Sequence, residues 1–81
     1  MKISVDLSLY PLQEGYVTPI KAFIAAISAC DGLEVQYNRV STQVFGEYDV
    51  VMSAIQVCLK EVFEKEGTFV LVSKILNTDR S

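Results

Sequence analysis

The segment that most constrains the fold lies at the start of the chain. Residues 2–10 alternate between apolar and polar side chains, and Pro11 follows them. This period of two is typical of a β-strand with one buried face, and proline ends the strand because it has no N–H to donate to a sheet. The apolar face carries Ile3, Val5, Leu7 and Leu9, and the polar face carries Ser4, Asp6, Ser8 and Tyr10. The chain must therefore supply a sheet and a second layer that covers one side of it.

Two later segments carry apolar side chains at steps of three and four, which is the spacing of an amphipathic helix. The first helix is predicted over 19–30, with Thr18 as its N-cap and Gly32 as its left-handed stop. The second helix is predicted over 50–65, with Asp49 as its N-cap.

Three further segments are predicted to be strands. Residues 33–38 and 41–46 are joined by a short connection and form an antiparallel hairpin, and residues 68–75 form a last strand that is apolar on both faces. The order β-α-β-β-α-β is that of the α+β, ferredoxin-like sandwich, in which two helices cover one face of a four-stranded antiparallel sheet. The first strand is then central, beside the third and fourth strands, and its polar face lies on the side that the helices leave bare.

The composition limits the classes of function. The chain has 81 residues, enough for a single domain over 1–81, and 51% of them are apolar, so we expect self-association to cover some of the apolar surface. The net charge is −3, which disfavours nucleic-acid binding because Lys and Arg supply most of that affinity. We also expect no membrane partner, since no apolar run approaches the ~20 residues of a membrane span.

Catalysis and metal binding are not expected from the residue types. There is no histidine, the most frequent general base and transition-metal ligand. Cys30 and Cys58 lack the spacing of metal ligands, so we expect small buried side chains in a reducing cytoplasm, with no metal and no cofactor. Acylphosphatases of the same fold hold phosphate with an arginine after the first strand, whereas the segment 12–18 contains none. Ser8 has no nearby base, so the protein is expected not to be an enzyme.

The candidate binding site consists of polar side chains from the first strand and the predicted hairpin. They are Asp6, Ser8, Asn38, Ser41 and Thr42. A carboxylate, an amide and hydroxyls together suit the edge of an aminopyrimidine, and the strand register decides which of Ser41 and Thr42 points outward. In the alternative interpretation, Asp6 and Ser8 satisfy each other at a subunit interface. The protein is then a structural or regulatory oligomerisation domain without a small-molecule ligand.

Two short motifs on this frame resemble a known family. Residues 8–12, Ser-Leu-Tyr-Pro-Leu, resemble the end of the first strand in the YkoF-like thiamine/hydroxymethylpyrimidine-binding domains. Residues 41–47 are similar to their hairpin pattern S/G-T-x-x-x-G-[DE]. An acid five residues before the first-strand proline (Asp6 before Pro11) and the pair Asp79-Arg80 are similar to the related thiamine-binding family once catalogued as UPF0045.

The resemblance implies non-catalytic binding of thiamine or its hydroxymethylpyrimidine precursor. It also implies a homodimer or homotetramer formed through the sheet, because YkoF has two such domains in tandem and this chain has one. The resemblance assigns a ligand-binding role most directly to Asp6, Ser8 and Thr42, and next to Asn38 and Ser41. The chain departs from the UPF0045 pattern just before Thr42, where Arg-Val-Ser replaces the usual proline or glycine, so the mouth of the pocket is expected to differ.

The charge of the ligand can be weighed separately. The positive thiazolium of thiamine suits an acidic protein with Asp6 near the site. Thiamine diphosphate needs a cluster of bases or a glycine-rich phosphate loop, and the candidate bases Arg39, Lys74 and Arg80 come from different segments. Free thiamine or hydroxymethylpyrimidine is therefore the expected ligand.

Overall fold

The protein has the expected ferredoxin-like fold. The computed structural model describes residues 1–13, 17–65 and 67–80, and for Val17 and Thr18 it describes the backbone alone. The elements are β1 (Lys2–Pro11), α1 (Val17–Ser28), β2 (Glu34–Tyr37), β3 (Thr42–Glu47), α2 (Tyr48–Phe63) and β4 (Phe69–Leu76). The four strands form one antiparallel sheet in the order β2-β3-β1-β4, so β1 is central as predicted.

The core lies between the sheet and the two helices. The alternation of β1 directs its apolar side chains to the helices, and Ile3, Val5 and Leu7 are each 1% exposed. The same core contains buried side chains from both helices and from β3, among them Ile27, Val44, Val51 and Val62. None of the helices in the described parts of the chain is long and apolar enough to cross a membrane.

Both helices begin earlier than the sequence pattern predicts. α1 begins at Val17 and ends at Ser28, and the predicted cap of Thr18 lies outside the described side chains. The prediction that Asp49 is the N-cap of α2 is wrong. β3 passes directly into α2, so Glu47 occupies the cap position without a side-chain bond, and Asp49 lies in the first turn. The N–H of Tyr48 donates to the carbonyl oxygen of Met1 at 2.9 Å, which satisfies one of the first four N–H groups that have no partner within the helix.

Two glycines meet where β3 passes the turn after α1. Gly32 has φ +83°, as expected for the residue that stops the helix. A Cβ on Gly46 would lie 2.9 Å from the carbonyl oxygen of Gly32 and 3.2 Å from Cγ2 of Val51. Gly46 is therefore required for the close approach of two backbone segments.

The residues after β4 are held against the sheet. The hydroxyl of Ser4 donates to the carbonyl oxygen of Thr78 at 2.6 Å and accepts from the N–H of Arg80 at 2.8 Å. Ser4 is only 5% exposed, although it lies on the face that the helices leave bare. Residues 78–80 therefore are not the loose tail that their polar composition suggests.

Candidate functional site

The sheet face opposite the helices, called the open face below, carries the polar side of β1. Opposite partners in an antiparallel sheet share a face, and Asp6 pairs with Gln43 on β3 and with Lys74 on β4. Ser8 pairs with Val72, which is 48% exposed. The register thus places Asp6 in the middle of the open face, between β3 and β4, as the topology predicts. Ser8 lies on the same face but beyond the last residue of β1 that pairs with β3.

Asp6 is held in a triangle of side-chain hydrogen bonds. The hydroxyl of Ser41 donates to Oδ1 of Asp6 at 2.6 Å, and Nε2 of Gln43 donates to the same oxygen at 2.9 Å. Nε2 of Gln43 also donates to Oγ of Ser41 at 2.7 Å. Asp6 is half-buried, and its carboxylate fixes the position of the Ser41 hydroxyl.

The same contacts set the protonation of Asp6. The hydrogen bonds from Ser41 and then Gln43 lower the pKa of Asp6 below its ordinary value, and the charge of Lys74 lowers it further. Partial burial opposes these effects. The charged form therefore predominates at neutral pH, and the carboxylate accepts hydrogen bonds rather than donating one.

The lowered pKa of Asp6 predicts that the stability of the fold decreases in acid. Because the pKa is lower in the folded state, Asp6 adds to stability above its unfolded pKa of about 3.9, and this contribution is lost as the pH falls through the folded pKa. We expect Asp6→Asn to flatten the acid limb of stability against pH below about pH 4. Urea unfolding of both proteins across that range measures the effect. Asp31→Asn removes an exposed carboxylate elsewhere and is the matched control. Parallel acid limbs for wild type and Asp6→Asn would contradict the prediction.

A cavity of about 260 Å³ opens beside this triangle. It lies between the end of β1, the turn that joins β2 to β3, and the first half of α1. Its apolar wall is formed by Leu7, Leu9, Ile20, Phe23 and Ile24, and its other lining residues are Ser8, Tyr10, Asn38, Arg39, Val40, Ser41 and Thr42. An apolar wall with a few polar groups is the usual character of a small-molecule site.

The cavity exists because β1 extends further along one neighbour than along the other. Its pairing with β3 ends at Leu7 and Thr42, whereas its pairing with β4 continues to Pro11 and Phe69. Beyond Leu7, one edge of β1 faces the cavity instead of a strand. Alternate residues of an antiparallel strand direct both N–H and C=O to the same side. The cavity is therefore bordered by main-chain donors and acceptors as well as by side chains.

The turn between β2 and β3 is organised by Asn38. Its Oδ1 accepts from the N–H of Val40 at 2.8 Å and from the N–H of Ser41 at 3.0 Å, and its own N–H donates to the carbonyl oxygen of Ser41 at 3.1 Å. These bonds are those of an asparagine-stabilised turn. The side-chain oxygen of Asn38 is thus engaged by main-chain N–H groups of the turn. Its Nδ2 amide is the side-chain group that can donate to a ligand.

The structure brings four of the five predicted residues to one cavity. Ser8, Asn38, Ser41 and Thr42 line it, whereas Asp6 is outside its lining and reaches it through Ser41. The register also separates the two hairpin candidates. Ser41 bonds to Asp6 on the open face, and Thr42 pairs with Leu7 on the helix side and is 6% exposed.

Several residues that line the cavity or contact Asp6 are absent from the sequence-based site. Gln43 is opposite Asp6, so a register for the hairpin would have found it. The apolar wall from α1, including Ile20 and Phe23, reads in the sequence as ordinary core. Arg39 is the only formally charged side chain among the described residues that line the cavity. The described lining thus carries no acidic side chain, although the chain as a whole is acidic.

The described residues contain no cluster of possible metal ligands. Among the described residues, no group of three or more Cys, Asp or Glu side chains comes together in a way that could hold an ion. The described lining of the cavity offers hydrogen-bonding groups, an apolar wall and the positive charge of Arg39.

Comparisons with known proteins extend these observations. No protein-family model and no curated protein matches the chain. It is similar to the solved structure of the protein SP2199 of Streptococcus pneumoniae, with 22% identity over 99% of this chain and 90% of that chain and a TM-score of 0.88. A hypothetical protein of Methanocaldococcus jannascii, MJ1052, is 23% identical over 99% of this chain and 84% of that one, with a TM-score of 0.81.

A third similar structure carries a functional name. It is a Thermotoga maritima protein, TM0486, whose name provisionally assigns it to thiamine biosynthesis or salvage. It is 24% identical over 96% of this chain and 85% of that chain, with a TM-score of 0.83. At these identities the similarity establishes the shared ferredoxin-like fold, and among the proteins that share it is one named for thiamine metabolism.

Proposed function

We propose that this protein binds hydroxymethylpyrimidine or thiamine, without transforming it, in the cavity beside the end of β1. The observation that carries the proposal is the convergence of Ser8, Asn38, Ser41 and Thr42 on one cavity with an apolar wall. Exposed main-chain groups of β1 complete a row of donors and acceptors that matches the edge of an aminopyrimidine. The thiamine-related name of a protein with the same fold supports the same ligand class.

Size and charge favour the precursor over thiamine itself. A volume of about 260 Å³ is at the small end for ligand sites and suits one substituted ring better than the two rings of thiamine. Arg39 adds a positive charge to the lining, which disfavours the thiazolium cation. Hydroxymethylpyrimidine is neutral and fits both features. Asp6 is also charged, but it lies behind Ser41 and outside the described lining, whereas Arg39 is part of that lining.

Binding without turnover is supported by the groups around the cavity. A nucleophilic hydroxyl needs a base to remove its proton. The guanidinium of Arg39 in the described lining does not accept protons. The Asp6 carboxylate accepts from the Ser41 hydroxyl, but its lowered pKa makes it a weak base. We therefore propose a cytoplasmic carrier or buffer for the pyrimidine rather than an enzyme.

The open face supports self-association. Val70, Val72 and Leu76 of β4 are 41–48% exposed on this face, beside the polar side chains of β1. A second copy would remove these apolar side chains from water. The same observation favours the second candidate function, an oligomerisation domain without a ligand.

Calorimetric titration of the protein with each compound tests the proposal. We expect one hydroxymethylpyrimidine bound per chain and weaker binding of thiamine. Arg39→Gln should reduce the preference for hydroxymethylpyrimidine over thiamine by about 1.4- to 5-fold, because an exposed charge contributes ~0.2–1 kcal/mol. Lys60→Gln removes an exposed cation on α2 and should leave the preference unchanged. No heat with either compound, from a protein that sediments as a dimer or tetramer, would instead support the oligomerisation domain.

A further inference from the structure

The chain's two cysteines are neighbours in the structure, with their thiols within hydrogen-bonding reach of each other. Cys30 follows the end of α1, and its sulfur lies 3.4 Å from the carbonyl oxygen of Ala26, one turn earlier. Ala26 and Cys58 of α2 line the same small cavity, of about 40 Å³. Cys58 belongs to the buried core, and Cys30 packs against that core. Nothing in the sequence spacing indicates this pairing, because the residues belong to separate helical segments.

The two thiols differ in their access to solvent. Cys58 is 4% exposed, whereas Cys30 is partly exposed. Burial raises the pKa of the Cys58 thiol to about 11, with the adjacent Cys30 thiol as a second cause. An oxidant in solution therefore meets Cys30 first, and Cys58 is protected from direct reaction because the thiolate is the reactive form.

We propose that Cys30 and Cys58 form a peroxide-responsive pair that closes to a disulfide between the turn after α1 and the helix α2. In the first step the thiolate of Cys30 attacks a hydroperoxide. A sulfur–oxygen bond forms, the peroxide O–O bond breaks, and the leaving oxygen takes a proton to become water or an alcohol. The sulfur is oxidised by two electrons to a sulfenic acid while the peroxide is reduced.

The second step needs no further oxidant. The thiol of Cys58 gives up its proton, and its sulfur attacks the sulfur of Cys30. The sulfur–sulfur bond forms as the sulfur–oxygen bond breaks, and the departing hydroxide leaves with the proton as water. A disulfide requires its sulfurs to be about 2.05 Å apart, so the contacting thiols need a short approach. A cellular dithiol reverses the reaction by thiol–disulfide exchange.

The disulfide would join the turn after α1 to α2. It would close the chain between residues 30 and 58, which restricts the unfolded state. It would also fix α1, whose first half forms a wall of the cavity beside β1. This inference does not depend on the identity of the ligand.

Treatment of the full chain with hydrogen peroxide, followed by intact-mass measurement and maleimide labelling, tests the proposal. We expect loss of two hydrogens, no remaining free thiol, no covalent dimer, and recovery with dithiothreitol. Thermal unfolding of the oxidised protein should shift upward by about 10 °C or more, as expected for a disulfide closing a loop of this length in a small domain.

The single variants separate the two roles. Cys58→Ser should accumulate a sulfenic acid at Cys30, which a cyclic 1,3-dione traps. Cys30→Ser should leave Cys58 unreacted under the same treatment. A covalent dimer of the wild type, over-oxidation of Cys30 beside a reduced Cys58, or an unchanged mass would each overturn the proposal. The wild-type measurement is decisive even if a variant fails to fold.

Discussion

Replacement of Ser8 by phenylalanine is expected to remove hydroxymethylpyrimidine binding while the fold persists. Ser8 is half-buried and lines the cavity at the point where β1 loses its β3 neighbour. A phenyl ring there occupies much of a volume of about 260 Å³, and aromatic residues are favourable in strands. We expect the affinity to fall by at least about 100-fold, which corresponds to ~3 kcal/mol. Calorimetry measures the affinity, and circular dichroism checks the fold.

Two controls make this result specific. Ser8→Ala keeps the cavity open and removes one hydroxyl, so it should cost ~0.5–1.5 kcal/mol of binding. Ser73→Phe adds the same ring at an exposed position of β4, outside the described lining of the cavity, and should bind as the wild type does. Wild-type affinity in Ser8→Phe would show that the ligand does not occupy this cavity.

The second large effect is expected for Asp6→Ala. Its carboxylate accepts from Ser41 at 2.6 Å, and Ser41 lines the cavity. Removal of the acceptor frees the Ser41 hydroxyl to rotate and leaves Gln43 with one partner fewer. We expect binding to weaken by ~1.5–3 kcal/mol, the range for hydrogen bonds to charged groups. Glu61→Ala removes an exposed carboxylate of α2 and should leave the affinity unchanged.

A double-mutant cycle shows whether Asp6 acts directly or through Ser41. If Asp6 positions the hydroxyl, Ser41→Ala should cost about as much as Asp6→Ala, and the double variant little more than either. If the carboxylate itself accepts from the ligand's amine, the two losses should add. Unchanged affinity in Asp6→Ala would exclude both roles.

The fold could be predicted because its signals are local and agree with one another. The alternation in residues 2–10 defines a half-buried strand, and two helical stripes flank a hairpin. This order leaves few topologies, and the observed sheet order is the expected one. Helix ends were predicted less well. Asp49 looked like a cap because the sequence does not reveal that Met1 supplies the carbonyl oxygen for the N–H of Tyr48.

The site could be predicted in part. Ser8, Asn38, Ser41 and Thr42 do lie together, but a shift of one residue in register would exchange the faces of Ser41 and Thr42. The sequence does not fix that register, nor does it reveal where β3 stops pairing with β1, which creates the cavity. The contact between Cys30 and Cys58 depends on how two helices pack, and two separate apolar stripes carry no information on that geometry.

Gly46, the glycine of the hairpin motif, has a structural role that its position near the candidate site residues does not suggest. A side chain at Gly46 would collide with the carbonyl oxygen of Gly32. The glycine is therefore required by the close approach of two backbone segments, at the end of the hairpin away from the cavity. Replacement of Gly46 should therefore disturb the packing of these two segments rather than the contacts with a ligand. Ligand preference should instead follow the turn at 38–41, where a single exchange alters charge or shape without disturbing that close approach.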